Sequence, residues 1–266
     1  MIETVHIDGA PATVEGLMPA VVSGYGAFTS FQHEPGGVRG LGLHLARLGR
    51  SASELFGHSV PDERVRAFLR TALEGLEGRA TVRVQLFLPA ISVRRPEASG
   101  RPSVLIRVAA PLGALRGPLR LQSQAYEREA PHLKHAGTFG LVRAMRAARA
   151  ANFDDALFVT PDRLISEGSI WNIGFIEGQT VVWPRAPMLA GTCQALIQHG
   201  LEAVGLNSET RPVRLAEVGA FDGAFICNSA TPAAPVSAID DQRLDTDPGM
   251  IDRLEAAWMT NPVEAI

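Results

Sequence analysis

Lys134 is the residue best suited to covalent chemistry, because it is the only lysine in a chain with 25 lysine and arginine residues. Arginine keeps its charge at any physiological pH and cannot act as an amine nucleophile, whereas a desolvated lysine can lose its proton and attack a carbonyl. A lysine that persists in an arginine-biased chain indicates a position where arginine cannot work. The alternative is that one lysine remains by chance.

Composition and charge restrict the kind of protein that carries this lysine. Of 266 residues, 46% are hydrophobic and 20% charged, as expected for a soluble globular protein with one large or two smaller domains. The formal net charge of −3 gives no basic field for nucleic acid or an anionic membrane. The N-terminal residues do not resemble a signal peptide, and no apolar segment is long enough to cross a bilayer. Two cysteines exclude a disulfide framework, so we expect a cytoplasmic protein with reduced thiols.

Hydrophobic periodicity and turn residues predict alternating helices and strands in two α/β domains. Apolar residues recur at three- and four-residue spacing over residues 41–56, which predicts a helix. Residues 111–118 form the predicted linker, so we expect an N-terminal domain over residues 1–114 and a C-terminal domain over residues 115–266. The other predicted helices cover residues 61–78, 140–151, 191–204 and 248–258. The predicted strands cover residues 21–31, 80–88, 104–110, 119–123, 156–160, 173–177, 180–183, 211–214 and 224–228.

Four blocks of sequence include or follow Lys134, over residues 132–137, 166–173, 187–194 and 226–231. In this order and spacing they resemble the class IV enzymes that depend on pyridoxal 5′-phosphate (PLP). These enzymes have fold type IV and include branched-chain aminotransferases, D-amino-acid aminotransferases and aminodeoxychorismate lyase. The N-terminal half agrees, since residues 24–31 look like that family's first-strand motif and His44-Leu45-Ala46-Arg47-Leu48 looks like its HxxRL helix. The resemblance implies a smaller N-terminal α/β domain and a larger, barrel-like C-terminal α/β domain.

The resemblance places two charged residues at the reactive part of the cofactor. Lys134 would bind PLP as a Schiff base, and after release by the substrate amine its neutral amine would move the Cα proton. Glu167 resembles the glutamate that faces the pyridine nitrogen, where a carboxylate keeps that nitrogen protonated and the ring an electron sink. Without Lys134 upstream, Glu167 would be interpreted as a surface acid in a turn. Asn172 would fix the loop that carries Glu167.

The resemblance places a second group of residues at the PLP phosphate. Arg47 looks like the arginine that binds the phosphate, because a guanidinium fork suits phosphate oxygens. Thr192 and Cys193 open a predicted helix, whose free N–H groups and dipole favour an anion. The family usually has Gly-Ile-Thr-Arg where this chain has Gly191-Thr192-Cys193-Gln194, so one hydroxyl and the arginine are missing. Further phosphate contacts are expected from Asn228 and Ser229, for which a plain strand end is the alternative.

Four residues of the N-terminal half are candidates for contact with the substrate. Tyr25, Phe28 and Thr29 belong to the first-strand motif, although an aromatic residue on a strand more often belongs to the core. Arg83 resembles a strand position that faces the substrate in some members of the family, and an ordinary surface charge is its alternative.

Two further features argue against other functions. His132 and His135 lie three positions apart around Lys134, but no acidic or thiol partners accompany them at ligand spacing, so we predict no metal site. Phe139 occupies a place where branched-chain enzymes carry a tyrosine. This difference argues against a standard branched-chain aminotransferase.

The predicted function is that of a PLP-dependent aminotransferase acting through a Schiff base on Lys134. It would move an amino group from an amino acid or amine to a 2-oxo acid by a ping-pong route. The resemblance also implies a homodimer.

Two alternatives remain open. One is a PLP-dependent lyase like aminodeoxychorismate lyase, which forms p-aminobenzoate and pyruvate. Its versions of the motifs look like Leu133-Lys134-His135, Ile226-Cys227-Asn228 and Phe28-Thr29-Ser30. The other is a non-catalytic descendant of the fold that binds a ligand or a partner, against which the intact Glu167 and Arg47 argue.

Overall fold

The computed structural model describes residues 3–266, which fold into two compact units. The first unit contains the chain up to Leu112, together with Leu133–Gly137 and Pro262–Ile266. The second unit contains Gly113–His132 and Thr138–Asn261. The chain therefore leaves the first unit within the predicted linker and later returns to it twice, and Lys134 lies in the first of these returns.

An antiparallel sheet and the helices packed against it form the first unit. In chain order its elements are β1 (Thr4–Ile7), β2 (Ala10–Pro11), α1 (Val14–Ser23), β3 (Gly26–His33), β4 (Val38–Arg39), α2 (Leu41–Phe56), α3 (Asp62–Ala72), β5 (Ala80–Phe87), β6 (Ser103–Ala109) and the terminal strand Val263–Glu264. The sheet has the order β2-β1-β6-β5-β3, and β4 pairs separately with the terminal strand. Strand β3 therefore lies at an edge of the sheet.

Helix α2 confirms the helix predicted over residues 41–56. Because of their spacing, Leu41, Leu45 and Leu48 lie on one face of α2 and pack in a core with residues of β5 and β6. The helix ends at Gly57, which adopts a left-handed φ of 70° and donates its N–H to Ser53 O at 3.0 Å. This helix carries Arg47 on its buried side.

The strand predicted over residues 21–31 is wrong in its first part, because residues 21–23 belong to α1. Thr13 caps this helix by accepting a hydrogen bond from Gly16 N at 3.1 Å, and Gly24 ends it with φ of 60°. Both are local signals for helix ends, and they outweigh the strand preference of the valines between them.

Helix α3 ends at Ala72, although the sequence predicts a helix up to residue 78. Gly75 and Gly78 adopt φ of 70° and 94°, which an α-helix does not allow. The predicted helix is therefore too long, because these glycines turn the chain towards β5.

The second unit contains a closed sheet. In chain order its elements are β7 (Leu119–Ala125), α4 (Phe139–Ala150), β8 (Asp155–Val159), β9 (Ile165–Gly168), β10 (Asn172–Glu177), β11 (Thr180–Pro184), α5 (Thr192–Gly200), β12 (Asn207–Arg211), β13 (Gly223–Asn228), β14 (Thr231–Ile239), β15 (Gln242–Arg243) and α6 (Pro248–Met259), with 3-10 turns at Glu202–Val204 and Leu215–Ala220. The strands pair in the order β10-β13-β14-β7-β8-β9, and β9 pairs back with β10. This pairing closes the barrel-like ring that the resemblance implies.

Alternate residues of the ring strands contribute to separate apolar cores, because side chains of a strand point to opposite faces. Ile173 and Ile226 pack in one core. Phe225 and Cys227, the neighbours of Ile226 along β13, pack in another core with residues of α5 and α6. The start of α5 is thus anchored to the outer face of the ring.

Two strands of the ring are absent from the predicted set. β14 contains Pro232 and Pro235, and proline normally argues against a strand inside a sheet. β9 is four residues long and ends in Ser166-Glu167-Gly168, which looks like a turn. The strand predicted over residues 211–214 is also displaced, because β12 covers Asn207–Arg211, where it pairs with β11.

Two leucines of α2 test this description of the first core. Leu45 is 1% exposed and Leu43 is 43% exposed. We expect Leu45→Ala to lower the free energy of unfolding by about 2–5 kcal/mol, because it leaves a cavity, and Leu43→Ala to lower it by less than about 1 kcal/mol. Urea unfolding of the two variants measures this difference. Equal losses of free energy in the two variants would show that α2 does not bury the face that carries Leu45.

Candidate active site

Lys134 is held at the edge of the first sheet by two backbone hydrogen bonds, one to its own carbonyl and one from Ala136. Phe28 N donates to Lys134 O at 2.8 Å, and Ala136 N donates to Gly26 O at 2.7 Å. The segment Leu133–Gly137 therefore pairs with the edge strand β3, and this pairing fixes the backbone that carries the only lysine. The sequence identifies Lys134 as a candidate for covalent chemistry, but it does not predict this pairing, which joins residues about one hundred positions apart.

Two cationic side chains lie near the ring of Phe28, a predicted substrate residue. The Lys134 ammonium lies 5.0 Å from the centre of the Phe28 ring, and the Arg83 guanidinium carbon lies 3.6 Å from it. Arg83 also donates to Gln85 Oε1 at 2.9 Å from Nη2. Burial, and secondarily the Arg107 guanidinium, lowers the pKa of Arg83. The structure thus brings Phe28 and Arg83 close to Lys134.

Tyr25 precedes β3 and is 44% exposed. Its ring edge packs on Phe56, and its hydroxyl lies 3.5 Å from Leu55 O at the end of α2. The exposed remainder of the ring leaves Tyr25 available for the contact predicted for it.

Thr29 differs from its predicted place against the substrate. Its side chain is fully buried, and its hydroxyl lies 2.6 Å from Arg47 Nη2 and 2.6 Å from His44 Nδ1. The first of these bonds holds Arg47, the predicted phosphate ligand, and the second joins Thr29 to His44. No atom of Thr29 remains exposed for a substrate. Strand alternation explains this difference, because Thr29 points away from the face that carries Phe28.

Glu167 is a buried residue and not a surface acid. It is 5% exposed, and its Oε1 lies 3.3 Å from Nη1 of Arg128, which is 6% exposed. Arg128 also donates to Pro131 O at 3.4 Å, so it connects β9 to the segment that precedes Lys134. Arg128 is absent from the predicted site residues, because Glu127-Arg128-Glu129 has the pattern of a run of solvated charges.

Asn172 ties β9 and β10 to the start of α5. It pairs with Glu167 in the sheet register, and its Nδ2 donates to Leu189 O at 2.9 Å. A Cβ atom at Gly191 would collide with Asn172 Oδ1. Only glycine fits this approach, which brings the beginning of α5 against the strand that follows Glu167.

The start of α5 is an open helix N-terminus. Within the described chain, its N-cap Gly191 supplies no side-chain hydrogen bond, so the first N–H groups are left to another acceptor. Burial raises the pKa of the Cys193 thiol well above its usual value, aided by its neighbour Cys227. Gln194 is 7% exposed, and its Oε1 has no hydrogen-bond partner among residues 3–266. The residue that replaces the usual arginine is thus a buried amide, and the sequence gives no signal that Gln194 could be a ligand.

The turn between β13 and β14 contains the remaining predicted phosphate ligands. Asn228 Oδ1 accepts hydrogen bonds from Ala230 N at 2.9 Å and Thr231 N at 3.0 Å. The carboxamide oxygen of Asn228 is therefore occupied by the turn, and its amide N–H groups and the partly exposed Ser229 hydroxyl are the groups that could contact a phosphate.

Over residues 3–266, no group of three or more His, Cys, Asp or Glu side chains could hold a metal ion. In the same part of the chain, every helix is too short or too polar to cross a membrane.

Residues 26–239 match the family described as Amino-transferase class IV, and the chain belongs to this family. Members of this family use PLP. The match confirms the family predicted from the motifs around Lys134 and includes every predicted site residue except Tyr25.

Similar proteins agree with this family. A probable branched-chain-amino-acid aminotransferase of Rickettsia felis is 26% identical over 100 residues, which are 37% of this chain and 34% of that relative. The aligned part thus spans about a third of the length of this curated relative. The fold IV-transaminase of Curtobacterium pusillum is 21% identical, with a TM-score of 0.78 over 97% of each chain.

A second solved structure shares the same architecture. The branched-chain aminotransferase from the thermophilic archaeon Thermoproteus uzoniensis, solved with norvaline, is 21% identical, with a TM-score of 0.81. The likeness covers 96% of this chain and 93% of that one. At such identities the two structures show a common fold, which confirms the predicted fold class.

The buried pair of Arg128 and Glu167 can be tested by a double-mutant cycle. We expect Arg128→Met and Glu167→Gln each to lower the free energy of unfolding by about 3–5 kcal/mol, because each removes one charge of a buried ion pair. The double variant should lose clearly less than the sum of the two. Urea unfolding of the PLP-free protein measures these values. Losses that add within about 0.5 kcal/mol would show that the two residues do not interact.

Proposed function

We propose that this protein is a PLP-dependent aminotransferase in which Lys134 carries the cofactor. The observation that supports it most is the position of Lys134, whose backbone is fixed to β3 while its side chain lies over Phe28. Membership of the class IV aminotransferase family gives this lysine its expected chemistry.

The residues present fit the chemistry of three groups of PLP, namely its aldehyde, its pyridine nitrogen and its phosphate. Lys134 supplies a primary amine for the aldehyde, and Glu167 supplies a buried carboxylate for the pyridine nitrogen. Arg47 and the N-terminus of α5 supply donors for the phosphate. The Oε1 atom of the buried Gln194 amide has no partner in the described chain. If the amide group is rotated by half a turn, its N–H group takes this position and can donate to a phosphate oxygen. When bound, PLP supplies an electrophilic carbon for amines and an electron sink for the substrate carbanion.

The side chains of this protein would position groups and move a proton. The Lys134 amine, once released by the substrate amine, would be the base that takes the substrate Cα proton and delivers it to the former aldehyde carbon on the other side of the amino nitrogen. Arg128 holds the Glu167 carboxylate in one orientation, and Asn172 keeps β9 and β10 in register behind it. Arg83, which stacks on Phe28, is the cation we propose for a substrate carboxylate.

The proposed substrates are an amino acid or amine as donor and a 2-oxo acid as acceptor. The names of the similar proteins support this class, since they are aminotransferases or transaminases. Phe139, at the start of α4, is 81% exposed.

We also propose a cytoplasmic homodimer. The exposed apolar residues of α1, Val14, Met18, Val21 and Val22, support an interface with a second copy, because isolated soluble domains seldom expose such a row. The two free, buried cysteines support a reducing compartment.

A half-reaction followed by absorbance tests the proposed chemistry. We expect the yellow protein to convert its PLP to the amine form with an amino donor and to recover it with a 2-oxo acid. Lys134→Arg should slow the conversion by at least about 10²–10⁴-fold, because arginine keeps a cation there but cannot act as a base.

Two other outcomes would contradict the transferase. Release of pyruvate from aminodeoxychorismate without formation of the amine cofactor would identify a lyase. Bound PLP that no amino donor changes would identify a binding protein.

A further inference from the structure

We propose that Thr29 and His44 are positioning residues for Arg47, which they hold through the hydrogen-bonded chain Arg47–Thr29–His44 so that its guanidinium meets the PLP phosphate. This inference rests on the proposed function, in which Arg47 binds that phosphate. It explains why a hydroxyl and an imidazole are buried beside a cation.

The direction of the chain follows from the chemistry of its first member. A guanidinium only donates, so Thr29 Oγ1 accepts from Arg47 Nη2 at 2.6 Å. The Thr29 hydroxyl proton is then free for His44 Nδ1, also at 2.6 Å. Because Nδ1 accepts this bond, the neutral ring carries its proton on Nε2. Arg47 Nη2 also lies 3.4 Å from the same Nδ1, as expected for an accepting nitrogen.

Burial makes this chain a constraint rather than an incidental contact. Thr29, His44 and Arg47 are 0%, 2% and 7% exposed, so water hardly competes for their bonds. Burying a cation costs free energy unless the cation is hydrogen-bonded. Removal of one buried acceptor therefore costs the full desolvation free energy of the donor group that it served. The guanidinium is therefore held in one orientation before any phosphate arrives.

The groups packed around His44 favour its neutral form. Burial, then the Arg47 guanidinium and then the Lys134 ammonium, lowers the pKa of His44 well below 6.5. Strand β3 contributes the Phe31 ring, 5.1 Å from the imidazole. The terminal strand contributes Glu264, whose carboxylate accepts from Gly42 N at the start of α2. Helix α3 adds the apolar side chains of Val65 and Leu69 to the core under α2.

Protonation of His44 would break the chain, because Nδ1 would then carry a proton and repel Arg47. The unfolded chain protonates its histidine near pH 6.5, while the folded protein does so only at lower pH. Between these two pH values the unfolded state binds more protons. The free energy of unfolding therefore falls as the pH falls below about 6.5.

The first test compares the affinity of the PLP-free protein for PLP and for pyridoxal, which has no phosphate. We expect Thr29→Val to weaken PLP binding about tenfold and to leave pyridoxal binding unchanged, since only the phosphate meets Arg47. Thr29→Ser, which keeps the hydroxyl, should bind both as the native protein does. Ser51→Ala is the matched control, because the buried Ser51 hydroxyl donates to the backbone O of Arg47 and not to its guanidinium.

Three results would overturn the proposal. Thr29→Val could bind PLP as tightly as the native protein, lose PLP and pyridoxal equally, or behave no differently from Ser51→Ala. A native protein that binds neither compound overturns the proposed function as well, so the two failures are distinguishable.

The second test starts from the other end of the chain and applies even if Thr29→Val does not fold. His44→Asn keeps an acceptor near Nδ1 and cannot titrate, whereas His44→Leu has no acceptor. We expect His44→Leu alone to lose selectivity for PLP over pyridoxal, by about tenfold. The part of the acid destabilisation that begins near pH 6.5 should be absent in His44→Asn. Equal selectivity in both variants, or an unchanged stability profile in His44→Asn, would refute the role of a neutral His44.

Discussion

The attachment of the Lys134 segment to the edge of the first sheet is the interaction on which the candidate site depends. Strand β3 supplies the backbone partner of Lys134 and also the side chains of Phe28 and Thr29. Its register with β5 places Ser30 opposite Arg83, so the same pairing sets the neighbours of the lysine. A shift of one residue would turn each of these side chains to the opposite face. The placement of Lys134, Phe28 and Thr29 is therefore decided by strand pairing.

Buried charge imposes the second constraint, and the two units meet it differently. In the first unit, the Arg47 cation is held by neutral groups, a threonine hydroxyl and an imidazole whose pKa is lowered. In the second unit, the Arg128 cation is held by the Glu167 carboxylate. These neutral groups orient the Arg47 guanidinium without cancelling its positive charge. A carboxylate partner compensates the charge of Arg128, whose contribution is then orientation.

Local patterns in the sequence predict those parts of the structure that local physics decides. The helix over residues 41–56 is correct to the residue, because its apolar spacing and terminal glycine are both local. The sequence does not predict β14, because its prolines argue against a strand and because its pairing with β13 and β7 exists only in the closed ring. Arg128 and the partners of Thr29 escape prediction for the same reason, since burial and contact with distant residues give these side chains their roles. The lysine itself is identified by composition and motif, whereas the pairing of its segment with β3 is visible only in the structure.

Borohydride reduction of the purified yellow protein, followed by peptide mass spectrometry, tests whether PLP is attached to Lys134. Reduction makes a linkage between PLP and an amine permanent, so the modified residue can be read from its peptide. We expect the PLP-derived mass on Lys134 and none in a Lys134→Ala variant. A protein that gains no such mass after incubation with PLP, or gains it only at the N-terminal amine, would show that Lys134 does not carry the cofactor.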